Sequence, residues 1–293
     1  MSLISLIILL LKLSIVLGVF AIGLKATFQD ALFLFRRPAE LGRVVLVMNV
    51  LMPMFALVVA LTFNLHPAVK VALVVLAVSP IPPILPNKAL RAGGKEDYII
   101  GLLVAISVLS VLFIPLTLKV LQWITGLQLN MSAASVFIVI FTTILAPLLG
   151  GMLVRRFLPS FAEHSARPIG LVARIVLLVS GLPILFTSVR AILTLIGDGT
   201  LLALAAFALV GIAAGHFLGG PESEKRRVLA LDTASRHPAV AMGIAHTNFP
   251  NQKLTAPVIL VYLVLSAVLT VPYLNWSKRR QTTATTPGKE VKV

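Results

Sequence analysis

The chain has 293 residues, of which 58% are hydrophobic and 12% charged, and its mean hydropathy of +1.03 lies far above what a water-soluble domain of this length tolerates. The formal charge of +15 does not point to nucleic acid, because the basic residues fall in short clusters between apolar stretches, without a continuous stripe or aromatic interleaving. Cysteine is absent, which excludes disulfides, thiolate zinc sites and a cysteine nucleophile.

A membrane helix needs about 20 apolar residues. Nine candidate spans follow in chain order, at about 3–24, 41–63, 67–90, 97–123, 133–154, 169–194, 200–219, 226–248 and 253–276. The first has no basic leader and no small-residue cleavage motif, so it reads as a membrane helix and not a signal peptide. Placing residues 25–43 in the cytoplasm puts Lys25, Arg36, Arg37 and Arg43 there, and alternation carries Arg91, Lys95, Arg155, Arg156, Arg167, Lys225, Arg226 and Arg227 to the same side. The opposite loops near 64–66, 124–132, 195–199 and 249–252 hold essentially no Lys or Arg. An all-α integral membrane protein with its N-terminus outside and its C-terminus cytoplasmic satisfies the positive-inside rule. Residues 1–276 read as one membrane domain, and 277–293, rich in Thr and Lys, as a disordered cytoplasmic tail.

Two spans are interrupted. In the third, Ser79-Pro80-Ile81-Pro82-Pro83-Ile84-Leu85-Pro86 removes four amide donors and adds four ring clashes, and no continuous helix survives that. In the eighth, Asp232-Thr233-Ala234-Ser235-Arg236-His237-Pro238 puts ionisable and hydroxyl groups in mid-span and ends in proline. A single such site is equally well a proline kink. With residues of about 3–123 as one repeat, 133–154 as a separate fifth helix and 169–276 as a second repeat, the break falls in the third helix of each repeat, and the repeats run in opposite directions. Inverted repeats with matched broken helices build midplane sites from half-helix ends, the architecture of secondary transporters.

The charges converge on the same place. Of the ten acidic residues, Asp30, Glu40, Glu96, Asp97, Glu163, Asp198, Glu222, Glu224 and Glu290 fall in loops or the tail, and Asp232 alone lies within a span. An ionisable group there costs roughly 2.5 to 3.5 kcal/mol on insertion scales, so function is its default reading. Arg236, one turn on if the backbone is helical, is its natural partner, with Thr233, Ser235 and His237 crowded beside it. Asn87 and Lys88 follow the prolines of the other break, although Lys88 could equally snorkel to the surface. Gly211, Gly215 and Gly219, spaced by four, read as a helix-packing face, and His216 as a polar contact beside it. Trp123 and Trp276 read as interfacial anchors.

The chain resembles the bile acid:sodium symporter family, from Gly23-Leu24 through Met52-Pro53, the proline-rich break with Ala92-Gly93 after it, the Asp232 segment and Ala245-His246. The resemblance implies two inverted repeats, a core and a panel domain, and two broken helices that cross beside sodium sites. It implies Na+ as the coupling ion, with Asp232 and Asn87 as the positions that carry over to its ligands, and a small organic anion as substrate in a bacterial inner or plasma membrane. No other cofactor is implied, and the oligomeric state is left open. The sequence departs from the family at both crossings. Where the family has Pro-Gly-Gly followed by Ser-Asn, this chain has Pro80-Ile81-Pro82 and Pro86-Asn87; where the family has Glu-x-Gly-x-Gln-Asn, it has Asp232 through His237. The hydroxyl ligands of the following helix fall near Ile99 and Leu103, which offer sodium nothing. A guanidinium beside the one carboxylate repels a hard cation and supplies only donors. The expectation is therefore that Arg236 takes over part of the cation site as a fixed charge, and that it, with Lys88 and His237, favours an organic anion. Ordinary sodium symport, proton coupling through Asp232 and His237, and an intramembrane enzyme built on Asp232, Ser235 and His237 stand as alternatives, the last without any HExxH or G-x-S-x-G motif.

Overall fold

A computed structural model describes residues 3–83, 85–126, 131–193 and 199–285. Asp198, Glu290, Ile84, much of the loop expected at 124–132 and the tail beyond 285 lie outside the described residues. Within them the chain is entirely helical. In chain order the helices are α1 (Leu3–Gly23), α2 (Phe28–Ala31), α3 (Pro38–Thr62), α4 (Pro67–Val78), α5 (Leu85–Arg91), α6 (Glu96–Thr125), α7 (Ala133–Phe157), α8 (Pro159–Leu193), α9 (Thr200–Leu218), α10 (Ser223–Ala234), α11 (Pro238–Asn248) and α12 (Thr255–Thr285).

Six of these, α3, α6, α7, α9, α12 and the Pro159–Pro183 part of α8, are long and apolar enough to cross a bilayer. Their surfaces agree with that medium. On α8 the side chains of Leu171, Val172, Ile175, Leu178, Val179 and Leu182 are all exposed, at the three-to-four spacing of one helix face. Such a stripe on a water-soluble protein would be an aggregation surface, whereas lipid solvates it. The ends differ from the sequence reading in two places. α8 begins at Pro159, ten residues before the expected span, because Pro159 fits the first turn of a helix. α12 continues through 277, where the tail was expected to start, as far as Thr285.

Prolines shape the long helices without cutting them. In α3 a wide π turn, Leu46–Leu51, stands just ahead of Pro53, and in α7 another, Phe141–Leu145, stands just ahead of Pro147. The extra residue in each turn makes room for the ring that would otherwise strike the carbonyl four residues back.

α1, α7 and α8 lie side by side as one layer. α1 and α7 touch through backbone: a Cβ on Gly23 would strike the Leu148 carbonyl, and one on Gly151 the Phe20 carbonyl. A large apolar cluster is drawn from α3, α4, α6, α9, α11 and α12, with Val136 and Ile140 of α7. Beside it α9 lies against α10 along the glycine face read from the sequence. A Cβ on Gly215 would come within 2.5 Å of the Ala230 Cα, and one on Gly211 within 3.1 Å of the Thr233 carbonyl. His216 on the same helix bonds Tyr273 of α12 at 2.9 Å.

At one end of the molecule a charged cluster ties the loops together. Buried Lys225, at the start of α10, donates to Glu40 of α3 at 2.9 Å and to Glu222 at 2.7 Å, while Lys95 reaches Glu222 and Glu224 at 3.8 and 3.6 Å. Segments that the positive-inside assignment puts on one side are thus joined at one end of the fold.

Candidate functional site

Both proline-marked interruptions are breaks. After Val78 the chain turns extended at Ser79 (φ −75°, ψ 148°), the conformation that a following proline imposes, and helix resumes at Leu85. After Ala234 it turns extended at Ser235 (φ −110°, ψ 134°), and helix resumes at Pro238 with His237 as its cap. The two extended stretches lie against each other. The His237 amide donates to the Pro80 carbonyl at 2.8 Å, and the Arg236 guanidinium donates through Nη1 to the Ser79 carbonyl at 3.2 Å. Backbone groups freed by each interruption are met in part by the other, which is how irregular chain survives away from water.

The C-terminal ends of α4 and α10 and the N-terminal ends of α5 and α11 therefore meet at this crossing. A helix C-terminus carries about half a negative charge, so the carbonyl of Ser79 is a natural cation ligand. The cation that occupies it is the side chain of Arg236. That guanidinium is buried, and its Nε and Nη2 have no hydrogen-bond partner.

Asp232, Thr233, Ser235, Arg236 and His237 are all buried at this break. The expected pairing of Asp232 with Arg236 is corrected. No nitrogen–oxygen contact within 4 Å joins them among the described residues, because Ser235 is extended and turns Arg236 off the helix face that carries Asp232, towards α4. The Thr233 hydroxyl is spent within its own helix on the Leu229 carbonyl at 2.7 Å. His237 accepts the Val240 amide at Nδ1, which leaves its buried Nε2 without a partner. On the other stretch of the crossing, half-buried Lys88 donates to the Thr270 hydroxyl of α12 at 2.5 Å. The Asn87 side chain lies outside the described part of the structure, and only its place in α5 is given.

The sequence reading passed over three features of this region. Tyr262 of α12, fully buried, donates its hydroxyl to the Ala234 carbonyl at 2.5 Å and so caps the end of α10 from a neighbouring helix. No spacing in the sequence announces that contact. Arg174 is the second. It stands well inside the sixth span, and the cost of a cation there could have drawn notice as Asp232 did. It lines the third feature, a cavity of about 400 Å³ between the α1–α8 layer and the first broken helix. Lys25, Pro86, Glu96, Ile99, Arg167 and Arg174 are among its walls. It thus reaches the α5 half of the broken helix and the Ile99 position.

The model of the Sodium Bile acid symporter family matches residues 12–195, well over half of the chain. The chain belongs to that family. Its members are sodium-coupled transporters of bile acids and other organic anions, so this is an integral membrane protein of a transporter family. The match takes in α1 to α8 and the first break, and the Asp232 crossing lies beyond it. No curated protein sequence matches the chain.

Proposed function

We propose that this protein is a secondary transporter that carries a small organic anion by alternating access. The layer of α1, α7 and α8 acts as the panel, and the helices around the two breaks act as the core. The observation that carries the reading is the pair of hydrogen bonds, His237 to Pro80 and Arg236 to Ser79, that join two interrupted helices, with a cavity bordered by three cations reaching the α5 half of the first. A packed core with a wet crevice along one face is suited to rocking against a second layer, because the crevice can move from one side of the membrane to the other without exposing backbone to lipid. With nine spans and the basic end in the cytoplasm, the cavity opens inward.

Arg236 is the coupling element of this proposal. A guanidinium already bound to the carbonyl that a transported cation would need makes the positive charge a permanent part of the protein. Asp232, Asn87 and Lys88 complete the crossing, with Asp232 as the buried counter-charge at longer range. Transport then proceeds with little or no dependence on sodium. Family membership favours a second reading, ordinary sodium symport, in which backbone carbonyls of the two breaks supply the ligands that the side chains lack. Uptake of labelled organic anions into proteoliposomes separates the two. Equal rates with a sodium gradient and with choline in its place support the fixed charge, and strict sodium dependence refutes it.

A further inference from the structure

A second, open cleft of about 410 Å³ lies between the start of α2 and the end of α7, and Thr27, Phe28, Gln29, Arg155 and Arg156 are among its walls. Arg155 and Arg156 stand in the last turn of α7, where the helix dipole and the positive-inside rule both favour cations. Those two effects explain why arginines stand there. They do not explain why both line one cleft with nothing to bind: neither guanidinium has a hydrogen bond, or an ion pair within 4 Å, among the described residues. Glu96 and Arg155 act on each other only from further away. Asp30, the acid of α2, is occupied at home, since its Oδ2 accepts the Thr27 amide at 2.7 Å and the Thr27 hydroxyl at 2.6 Å.

The rims of the cleft are apolar. Past α2 the chain keeps turning, with the Phe33 amide on the Asp30 carbonyl at 3.1 Å and the Arg36 amide on the Leu32 carbonyl at 3.2 Å. One face of this segment is already packed: Ala31 is buried with Ile100 of α6 and Met152 of α7, and Leu34 with Tyr98 and Leu102 of α6. Another face turns Phe28, Leu32 and Phe35 outward, between the exposed cations Lys25 and Arg36. A short amphipathic stretch of that kind lies in the membrane surface, with its rings at the acyl chains and its cations at the headgroups. Phe157 and Leu158, exposed just beyond Arg156, give the opposite rim the same character. We infer that the cleft holds the headgroup of an anionic phospholipid of the cytoplasmic leaflet, with its phosphate between Arg155 and Arg156 and its acyl chains along Phe28 and Phe157. Guanidinium forks match phosphate oxygens, and basic pockets between helices on the cytoplasmic side select acidic headgroups. Such a site stands whether or not the protein is a carrier.

The test titrates the full-length protein in detergent with dioleoyl phosphatidylglycerol or dioleoyl phosphatidylcholine and counts bound lipid by native mass spectrometry. Phosphatidylglycerol should bind at least about tenfold more tightly, as expected for two arginines at an acidic headgroup. R155Q/R156Q should lose that preference, and R155K/R156K should keep part of it, since the charge remains while the fork is lost. R36Q/R91Q removes the same charge from two exposed arginines on the same side of the membrane and outside the cleft, and should keep the preference in full. Equal affinity of the wild-type protein for the two lipids would overturn the inference, and that comparison needs no variant to fold. An unchanged preference in R155Q/R156Q, shown to be folded by thermal unfolding, would overturn it too. So would an equal loss in R36Q/R91Q, which would mean diffuse attraction to the basic face. Displacement of the lipid by glycerol 3-phosphate at equal concentration would assign the cleft to a soluble phosphate and count against it as well.

Discussion

Under the fixed-charge proposal, removing the charge at Arg236 should create a sodium response that the wild-type protein lacks. Its Nη1 lies 3.2 Å from the Ser79 carbonyl oxygen. A sodium ion on the same oxygen would sit about 2.4 Å away, the reach of a hard cation of that size, and at a right angle the two charges would be about 4 Å apart. At an effective dielectric of about 20 the repulsion is about 4 kcal/mol, or roughly a thousandfold in sodium affinity. In R236Q that term vanishes, and the Ser79 and Pro80 carbonyls and the Asp232 carboxylate stay in place. The measurement is the unfolding midpoint of purified protein in sodium chloride and in choline chloride at equal ionic strength. R236Q should gain stability with rising sodium, by about 2.7 kcal/mol at a concentration a hundred times the dissociation constant. R236K keeps the charge and should stay unresponsive, as should the wild type. A folded R236Q with no sodium-specific shift, or a wild-type shift as large as that of R236Q, would refute the argument.

Gly215→Ala should destabilise the protein by about 1 to 3 kcal/mol, because the new methyl group meets the Ala230 Cα at 2.5 Å and must push α10, with Asp232 on it, away from α9. Gly42→Ala, in a helix where nothing lies within 4 Å of the added carbon, should instead gain up to about 1 kcal/mol from helix propensity; thermal unfolding and anion flux of the two variants should diverge accordingly. The hydrogen bond from Lys225, helped by that lysine's charge, lowers the pKa of Glu222 below the usual carboxylate value. A depressed folded pKa adds stability above the unfolded value, near 4.3, and that stability fades as pH falls through the folded value. The side chain is half-exposed, so the effect is at most about 1 kcal/mol. The unfolding midpoint of E222Q should therefore fall less than that of wild type between pH 6 and the acid range, and parallel curves would contradict the assignment.

Composition and periodicity were enough to declare the solvent, since a chain this apolar can fold only in lipid, and lipid leaves the helix as the natural spanning form. The interruptions were equally legible. Pro80, Pro82, Pro83 and Pro86 act through local sterics and lost donors, as does Pro238 after its run of polar residues, and no tertiary contact can restore a missing amide. The four-residue spacing of Gly211, Gly215 and Gly219 also named a packing face, because small residues on one side of a helix leave nothing else for that side to do. What lay opposite that face was beyond the sequence.

Direction was decided only by the fold. One turn from Asp232, Arg236 looked like its ion-pair partner, yet the extended Ser235 rotates it onto Ser79, more than 150 residues away in the chain. Half-buried Lys88 finds Thr270, 182 residues further along the chain, and Tyr262 caps a helix end that precedes it by 28 residues. The cavity beside α5 joins Lys25, Pro86, Glu96 and Arg174, which no local pattern groups together. The sequence determines where the backbone must break and which residues may face lipid, because those are short-range matters of sterics and transfer energy. Only tertiary structure decides which carbonyl a freed side chain finds, because that depends on which distant helix end is brought within hydrogen-bond reach.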